Sequence, residues 1–258
     1  MKDLVLHPHF TGRVDGLVVR DMIQAGFAAI GAPVHHLVIP SRGRPEFDAQ
    51  ISNLGHLRAF VLGRKAIISK AEPGSFIQIN FEPGKGGKNP AYEQYQRGRP
   101  DLPWFACAAT VVDALRCSED LAPGVGVCLY AALRAPAGTD YIGVNDQLLP
   151  LFDSLDLVTA SRYCVGPKFD PYPDIMRLGE CAHHFRLVEK MALQVWTVLR
   201  DNQTEPISEW QAEQYVRGIR DSGIRRIIGY VEYGTDVQTV AEAAGWRILG
   251  DAIKRSAA

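Results

Sequence analysis

From about residue 76 onward, the chain alternates between short apolar, β-rich runs and segments with helical periodicity, with polar or Gly/Pro residues between them. Strands that alternate with helices form parallel sheets, because a parallel connection has to cross the sheet and does so through a helix. The alternation therefore predicts an α/β protein with a parallel sheet. The predicted strands are Phe76–Phe81, Gly126–Tyr130, Leu157–Tyr163, Leu193–Leu199, Ile227–Tyr233 and Trp246–Leu249.

Helices are predicted in the segments between these strands, where apolar residues recur about every 3.6 positions. Ser208 and Gln211 have the spacing of a capping box, which predicts the start of a helix at this point. Gly223 and Gly245 stand where helices are expected to end. The predicted helices are Phe105–Leu115, Gln147–Phe152, Ile175–Lys190, Ser208–Ser222 and Val237–Ala244.

The first 75 residues extend the same pattern. Leu4–Leu6 and Leu37–Ile39 are predicted strands, and Leu17–Ile30 and Phe47–Lys70 are predicted helices. About eight βα units in 258 residues favour a closed (β/α)₈ TIM barrel, which takes about 250 residues. An open doubly wound sheet is the alternative, but no GxGxxG fingerprint follows a predicted strand. We expect a single barrel domain over residues 1–258.

Composition excludes several classes of function. The chain has 28 basic and 29 acidic residues, a net charge of −1, so it lacks the positive charge of a nucleic-acid or anionic-membrane binder. Its first residues form neither a signal peptide nor a membrane span, which predicts a cytoplasmic protein. No phosphate-binding loop of the type GxxxxGK[ST] is present, and we expect no cofactor. The oligomeric state is left open.

Two glutamates stand at predicted strand ends, where a barrel builds its active site. Glu82 follows the strand that contains Asn80, and Glu232 stands near the end of Ile227–Tyr233. Side chains two residues apart on a strand share a face, so Asn80 is expected to point the same way as Glu82. A pair of carboxylates can cleave a glycosidic bond: one protonates the leaving oxygen, and the other attacks the anomeric carbon or activates water.

These residues predict Glu82 and Glu232 as the two catalytic carboxylates. A carbohydrate substrate would be positioned by polar and aromatic side chains at other strand ends. Those candidates are Asn80, His9, Arg162, Tyr163 and Tyr233. The alternative function for the same architecture is a non-catalytic barrel that binds carbohydrate or serves as a structural component.

The segment Asn80-Phe81-Glu82-Pro83, together with a second Glu at the end of a late strand, resembles the TIM-barrel glycoside hydrolases. In their largest clan an Asn-Glu pair ends the fourth strand and a second Glu ends the seventh; here Phe81 separates the pair, which falls on the third predicted strand. The segment is also similar to the acidic-x-Glu strand end of hyaluronidase- and chitinase-like barrels, with the uncharged Asn80 replacing the acid. The resemblance implies hydrolysis of a carbohydrate, with Glu82 as the general acid/base and Glu232 as the nucleophile or second carboxylate.

A metal-dependent hydrolase is the third possibility. His7-Pro8-His9 resembles the HxH motif of amidohydrolase-like and polymerase-histidinol-phosphatase-like barrels, in which two His on one strand bind a divalent ion. Such a site needs further ligands at the ends of the middle strands, and the strands that end near Tyr130, Tyr163 and Leu199 offer none. We therefore expect no metal, and His9 is interpreted as a residue that lines the carbohydrate pocket.

Overall fold

The computed structural model describes residues 3–11, 16–40, 50–81, 104–130, 132–133, 141–146, 148–232 and 235–257. The chain divides into two compact units. The first consists of Met1–Val34, Leu133–Asp146 and Thr159–Ala258, and the second of His35–Ala132 and Gln147–Val158. The expectation of a single domain stays a prediction.

The strands form one sheet whose first strand pairs with the last. Hydrogen bonds connect them in the order β2-β1-β3-β4-β5-β6-β7-β8, and β1 also pairs with β8, which closes the sheet into a barrel. The pairing of β1 with β8 is parallel along the whole of both strands. The strands are β1 (Val5–Thr11), β2 (Ala29–Ile30), β3 (Val34–Val38), β4 (Phe76–Asn80), β5 (Gly126–Leu129), β6 (Leu157–Tyr163), β7 (Met191–Trp196) and β8 (Arg226–Glu232).

Strands β2 and β3 follow one another along the same edge of β1. Ile30 lies opposite Leu6, and Val34 lies opposite His9. Between them, the backbone N–H of Gly31 donates to the carbonyl oxygen of Leu6 at 2.7 Å. Because β2 and β3 share one edge of β1, they together occupy a single place in the barrel. In the described part of the chain, the eight strands therefore fill seven places around it. The closed parallel sheet with alternating helices confirms the predicted (β/α)₈ barrel class.

The helices of the described residues lie between the strands, as the alternation predicts. The helix expected over Leu17–Ile30 ends at Ile23 and is followed by β2, and the part of Phe47–Lys70 that is described contains two shorter helices. The helices are α1 (Gly16–Ile23), α2 (Leu54–Leu62), α3 (Lys65–Ile68), α4 (Trp104–Arg116), α5 (Tyr141–Asp146), α6 (Leu149–Asp153), α7 (Tyr172–His184), α8 (Glu209–Ser222) and α9 (Asp236–Ala257).

Helix α8 begins and ends at the predicted residues. The Ser208 hydroxyl accepts the backbone N–H of Gln211, and the Gln211 side chain accepts the backbone N–H of Ser208, so the capping box is confirmed. Gly223 ends the helix with a left-handed backbone (φ 74°), a conformation that L side chains rarely adopt.

The predicted strand Trp246–Leu249 and the predicted helix end at Gly245 are both wrong, because these residues lie in the middle of the 22-residue helix α9. Trp246, Leu249 and Ile253 recur at helical spacing and are buried. A Cβ atom on Gly245 would lie 2.0 Å from the carbonyl oxygen of Thr197. The glycine thus allows α9 to approach the chain just after β7.

Contacts of the first unit identify the two faces of its strands. A Cβ atom on Gly229 would meet side-chain atoms of Leu6 on β1, Met22 on α1 and Trp246 on α9 at 2.9–3.2 Å. Leu6 and Gly229 therefore face the helices. Because side chains alternate along a strand, His7, His9 and Tyr230 face the inside of the sheet.

In the second unit, α2, β4, α4 and β5 all carry buried apolar side chains, among them Leu57, Ile77, Val111 and Val127. Asp156, which precedes β6, accepts the backbone N–H of Val127 at 2.7 Å and pairs with Arg116 of α4 at 2.9 Å.

Among the described residues, no helix has both the length and the apolar character needed to cross a membrane.

Candidate functional site

The inner face of the first unit carries aligned polar and aromatic residues. Strand register places His7 and Gln194 on either side of Ile228, and places His9 opposite Tyr230 in the row above. Trp196, two residues after Gln194, shares its face of β7. TIM-barrel interiors are usually filled by branched apolar side chains. Polar and aromatic residues in these rows indicate a functional site towards the carboxyl ends of the strands.

Four rings form a continuous group, which we call the aromatic cluster: His9, Tyr163, Trp196 and Tyr230. Tyr230 contacts the other three, with ring centroids 5.3 Å from His9, 5.7 Å from Trp196 and 6.1 Å from Tyr163. The Tyr163 and Trp196 rings meet edge to face at 5.9 Å. Distances of 4.5–7 Å and tilted geometry are favourable for aromatic pairs.

The rings of the aromatic cluster differ in their access to solvent. His9 is fully buried and Trp196 is only 4% exposed, whereas Tyr163 and Tyr230 are half-buried. The two tyrosines therefore form the accessible surface of the cluster, and the buried tryptophan packs against both of them. An accessible pair of aromatic rings beside polar groups is the usual composition of a small-molecule site.

The backbone on both sides of Tyr163 is held by hydrogen bonds. The Tyr215 hydroxyl of α8 donates to the carbonyl oxygen of Arg162 at 2.7 Å, and the backbone N–H of Arg200 donates to the carbonyl oxygen of Cys164 at 2.7 Å. Burial raises the pKa of the Cys164 thiol to about 12, so this cysteine stays protonated and is a core residue. These two hydrogen bonds fix the backbone at the end of β6 to α8 and to the segment after β7.

Trp196 is held by a buried carboxylate. Its indole N–H donates to Glu242 Oε1 at 2.7 Å, and Glu242, on α9, is 1% exposed. The adjacent Thr197 hydroxyl donates to the Glu242 carbonyl oxygen at 3.1 Å. Two acceptors of Glu242, its Oε1 and its carbonyl oxygen, therefore connect α9 to the end of β7.

The structure describes the predicted catalytic residues only in part. Glu232 is the last residue of β8, opposite Thr11 of β1 and two residues after Tyr230. Glu82 and Tyr233 lie outside the described residues, and so does the side chain of Glu232. Their catalytic and binding roles stay predictions.

The other predicted binding residues have different environments. His9 and Tyr163 lie together in the aromatic cluster, each in contact with Tyr230. Asn80, the last residue of β4, belongs to the second unit; it is half-buried, and its carbonyl oxygen accepts the backbone N–H of Ile39. Arg162 pairs with Asp174 of α7 at 2.7 Å, so its guanidinium points away from Tyr163.

The HxH pair does not stand at the end of a strand as expected, because His7 and His9 lie inside β1. The Nδ1 atom of His7 is 3.0 Å from the carbonyl oxygen of Ala32. Burial lowers the pKa of His7 and favours the neutral ring; the hydrogen bond to Ala32 opposes this shift, and the charge of Arg226 adds to it. The described residues contain no group of three or more His, Cys, Asp or Glu that could hold a metal ion.

Comparisons with known proteins agree with this fold. No family model and no curated protein sequence matches the chain. Bee venom hyaluronidase is similar in structure: in its complex with a hyaluronic acid tetramer, it gives a TM-score of 0.62 and 18% identity over 98% of this chain and 100% of that chain. The monoclinic form of the same enzyme gives a TM-score of 0.60 and 16% identity.

The glycoside hydrolase domain of PgaB (BpsB) from Bordetella bronchiseptica gives a TM-score of 0.53 and 10% identity, over 97% of this chain and 98% of that domain. At these identities the similarity concerns the fold. The chain therefore has the TIM-barrel fold of these glycoside hydrolases, as the sequence resemblance implied.

Sequence reasoning missed two members of the site. The sequence indicates Trp196 only as a core or pocket residue. Glu242 lies in a predicted helix, where an acidic residue is expected on the solvent-exposed face. Tyr230 had a usable signal, because it lies two residues before Glu232 on one strand and so shares its face.

Proposed function

We propose that this protein is a glycoside hydrolase that binds its carbohydrate against the aromatic cluster and cleaves it with Glu232 and Glu82. The observation that carries the proposal is the aromatic cluster itself: rings from β1, β6, β7 and β8 meet near the strand ends, and Glu232 follows Tyr230 on the same strand. The barrel fold shared with two glycoside hydrolases supports it.

The half-buried rings of Tyr163 and Tyr230 suit the apolar face of a sugar ring. Such a face packs on aromatic carbons, while its hydroxyl groups bond to polar side chains around them. The hyaluronidase was solved with a hyaluronic acid tetramer, which makes a polymeric glycan the first substrate to test.

The proposed chemistry uses two carboxyl groups and no cofactor. Glu82 protonates the oxygen of the leaving sugar, and Glu232 attacks the anomeric carbon or activates the water that does. In the first case the carboxyl groups lie about 5–5.5 Å apart and the product retains its configuration; separations of about 6.5–9.5 Å accompany inversion.

The test is a hydrolysis screen with chromogenic glycosides and polysaccharides, including hyaluronic acid, followed by a comparison of variants on the substrate found. We expect Glu232→Gln to lower kcat at least about 100-fold, because the amide can neither attack nor accept a proton. Glu213→Gln is the matched control. Glu213 is an exposed carboxylate of α8 that pairs with Arg255, and its loss should leave kcat unchanged.

An active wild-type protein whose Glu232→Gln variant keeps its rate would contradict the assignment of Glu232. A wild-type protein that binds a glycan through the tyrosines and hydrolyses none would identify the non-catalytic carbohydrate-binding barrel instead. Absence of both binding and hydrolysis across the screen would overturn the carbohydrate function as a whole.

A further inference from the structure

Glu242 is a carboxylate buried in the first unit. A buried carboxylate is costly unless hydrogen bonds or a function compensate for its lost hydration. Glu242 is 1% exposed, and its Oε1 accepts the Trp196 indole N–H at 2.7 Å. A bond this short to an ionisable acceptor is typical of strong hydrogen bonds.

The indole of Trp196 determines where the accessible tyrosines can lie. Its ring meets Tyr163 at an interplanar angle of 78° and Tyr230 at 87°, so both tyrosines pack edge to face against it. Rotation of the indole would remove both contacts at once. The indole N–H is its single polar group, and the Glu242 carboxylate holds that group in one direction.

We propose that Glu242 is a positioning residue of the site: by fixing the Trp196 indole, it fixes the rings of Tyr163 and Tyr230 on which the ligand rests. Glu242 acts through Trp196 and takes no part in the bond-breaking step. The identity of the ligand rests on the proposed function, but the positioning itself does not.

The same helix provides a matched control. Trp246 is also fully buried on α9, but its ring packs over Gly229 on the helix-facing side of β8. Its Nε1 has no hydrogen-bond partner within the described part of the chain. A change at Trp246 therefore perturbs packing between α9 and β8 on the face opposite to the aromatic cluster.

The experiment is NMR spectroscopy of the full-length chain with labelled indole nitrogens and tyrosine ring carbons. The chain has four tryptophans, and Trp196→Phe assigns the relevant indole signal. Glu242→Leu should move that signal upfield and shift the ring signals of Tyr163 and Tyr230. Glu242→Gln keeps an acceptor oxygen and should restore both sets of signals, whereas Trp246→Phe should leave them in place.

Unchanged tyrosine signals in a folded Glu242→Leu variant would overturn the proposal. So would a failure of Glu242→Gln to restore them, because an acceptor alone should suffice. If Glu242→Leu does not fold, the Glu242→Gln and Glu242→Ala variants are compared by the same signals.

A second measurement separates this inference from the proposed function. Affinity for hyaluronic acid tetrasaccharide, or for the glycan found in the hydrolysis screen, should fall about tenfold in Glu242→Leu and stay within about threefold in Glu242→Gln. If the wild-type protein binds no glycan, the proposed function fails, and the NMR signals alone decide whether Glu242 positions the cluster. If the glycan binds equally well to all three proteins, the positioning role in binding is refuted.

Discussion

Replacement of Gly245 by alanine should destabilise the protein, although alanine is the better helix former. The added Cβ would lie 2.0 Å from the Thr197 carbonyl oxygen and 2.7 Å from the Thr197 Cβ, so α9 has to move away from β7. Overpacking of this kind costs about 3 kcal/mol, and the gain in helix propensity returns about 1 kcal/mol. We expect a net loss of about 2 kcal/mol, or about 4–8 °C in Tm for a chain of this size.

The assay is equilibrium unfolding in urea, with Gly16→Ala as the control. Gly16 also lies in a helix, but a Cβ there would meet no atom of the described residues within 4 Å. That variant should be neutral or more stable by up to about 1 kcal/mol. Because α9 also carries Glu242, Gly245→Ala should perturb the indole signal of Trp196. A Gly245→Ala protein as stable as the wild type would refute the close approach of α9 to Thr197.

Three further predictions concern stability. The mostly buried Asp174 carboxylate pairs with both Arg162 and Arg177, and Asp174→Asn removes its negative charge. Urea unfolding should show that the free energy of unfolding falls by about 2 kcal/mol, and a fall below about 0.5 kcal/mol would contradict the pairing. Burial lowers the pKa of His36 to about 4, so between pH 6.5 and 4 the unfolded chain binds a proton at His36 that the folded chain does not bind. The free energy of unfolding should therefore fall as the pH is lowered through this range, and His36→Gln should reduce that pH dependence in unfolding curves. Ser208→Ala removes the cap of α8 and should lower stability by about 1 kcal/mol in thermal unfolding, whereas an unchanged Tm would show that the cap contributes nothing.

The strands that build the aromatic cluster were predictable because their signals are local. Leu157–Tyr163 is bounded as expected, and Ile227–Tyr233 begins one residue after the start of the observed β8 at Arg226. Each is a β-rich apolar run bounded by turn residues, a pattern that does not depend on distant contacts. Arg162 and Tyr163 therefore lie at the carboxyl end of β6, where the sequence pattern places them.

The end of the chain was mispredicted for a physical reason. Trp246–Leu249 is a short apolar run that fits a buried strand or one face of a helix equally well. The choice depends on Gly245, which indicates a helix end in the sequence but serves a close contact with Thr197 in the fold. A contact of this kind, between residues far apart in the chain, leaves no local pattern.

The same holds for Glu242 and Trp196, which are 46 positions apart and meet only after α9 has folded back onto β7. Arg162 illustrates the converse: its position near a strand end indicated a ligand contact, but strand alternation directs it to Asp174 on α7, on the other face from Tyr163. A strand-end position alone does not determine the face.

The most direct test of the proposed carbohydrate site is a crystal structure of the Glu232→Gln variant with the oligosaccharide that the hydrolysis screen identifies. We expect a sugar ring packed against Tyr163 and Tyr230, with the side chain at position 232 beside the glycosidic bond. A sugar bound elsewhere on the molecule, or bound with both tyrosines uncovered, would contradict it.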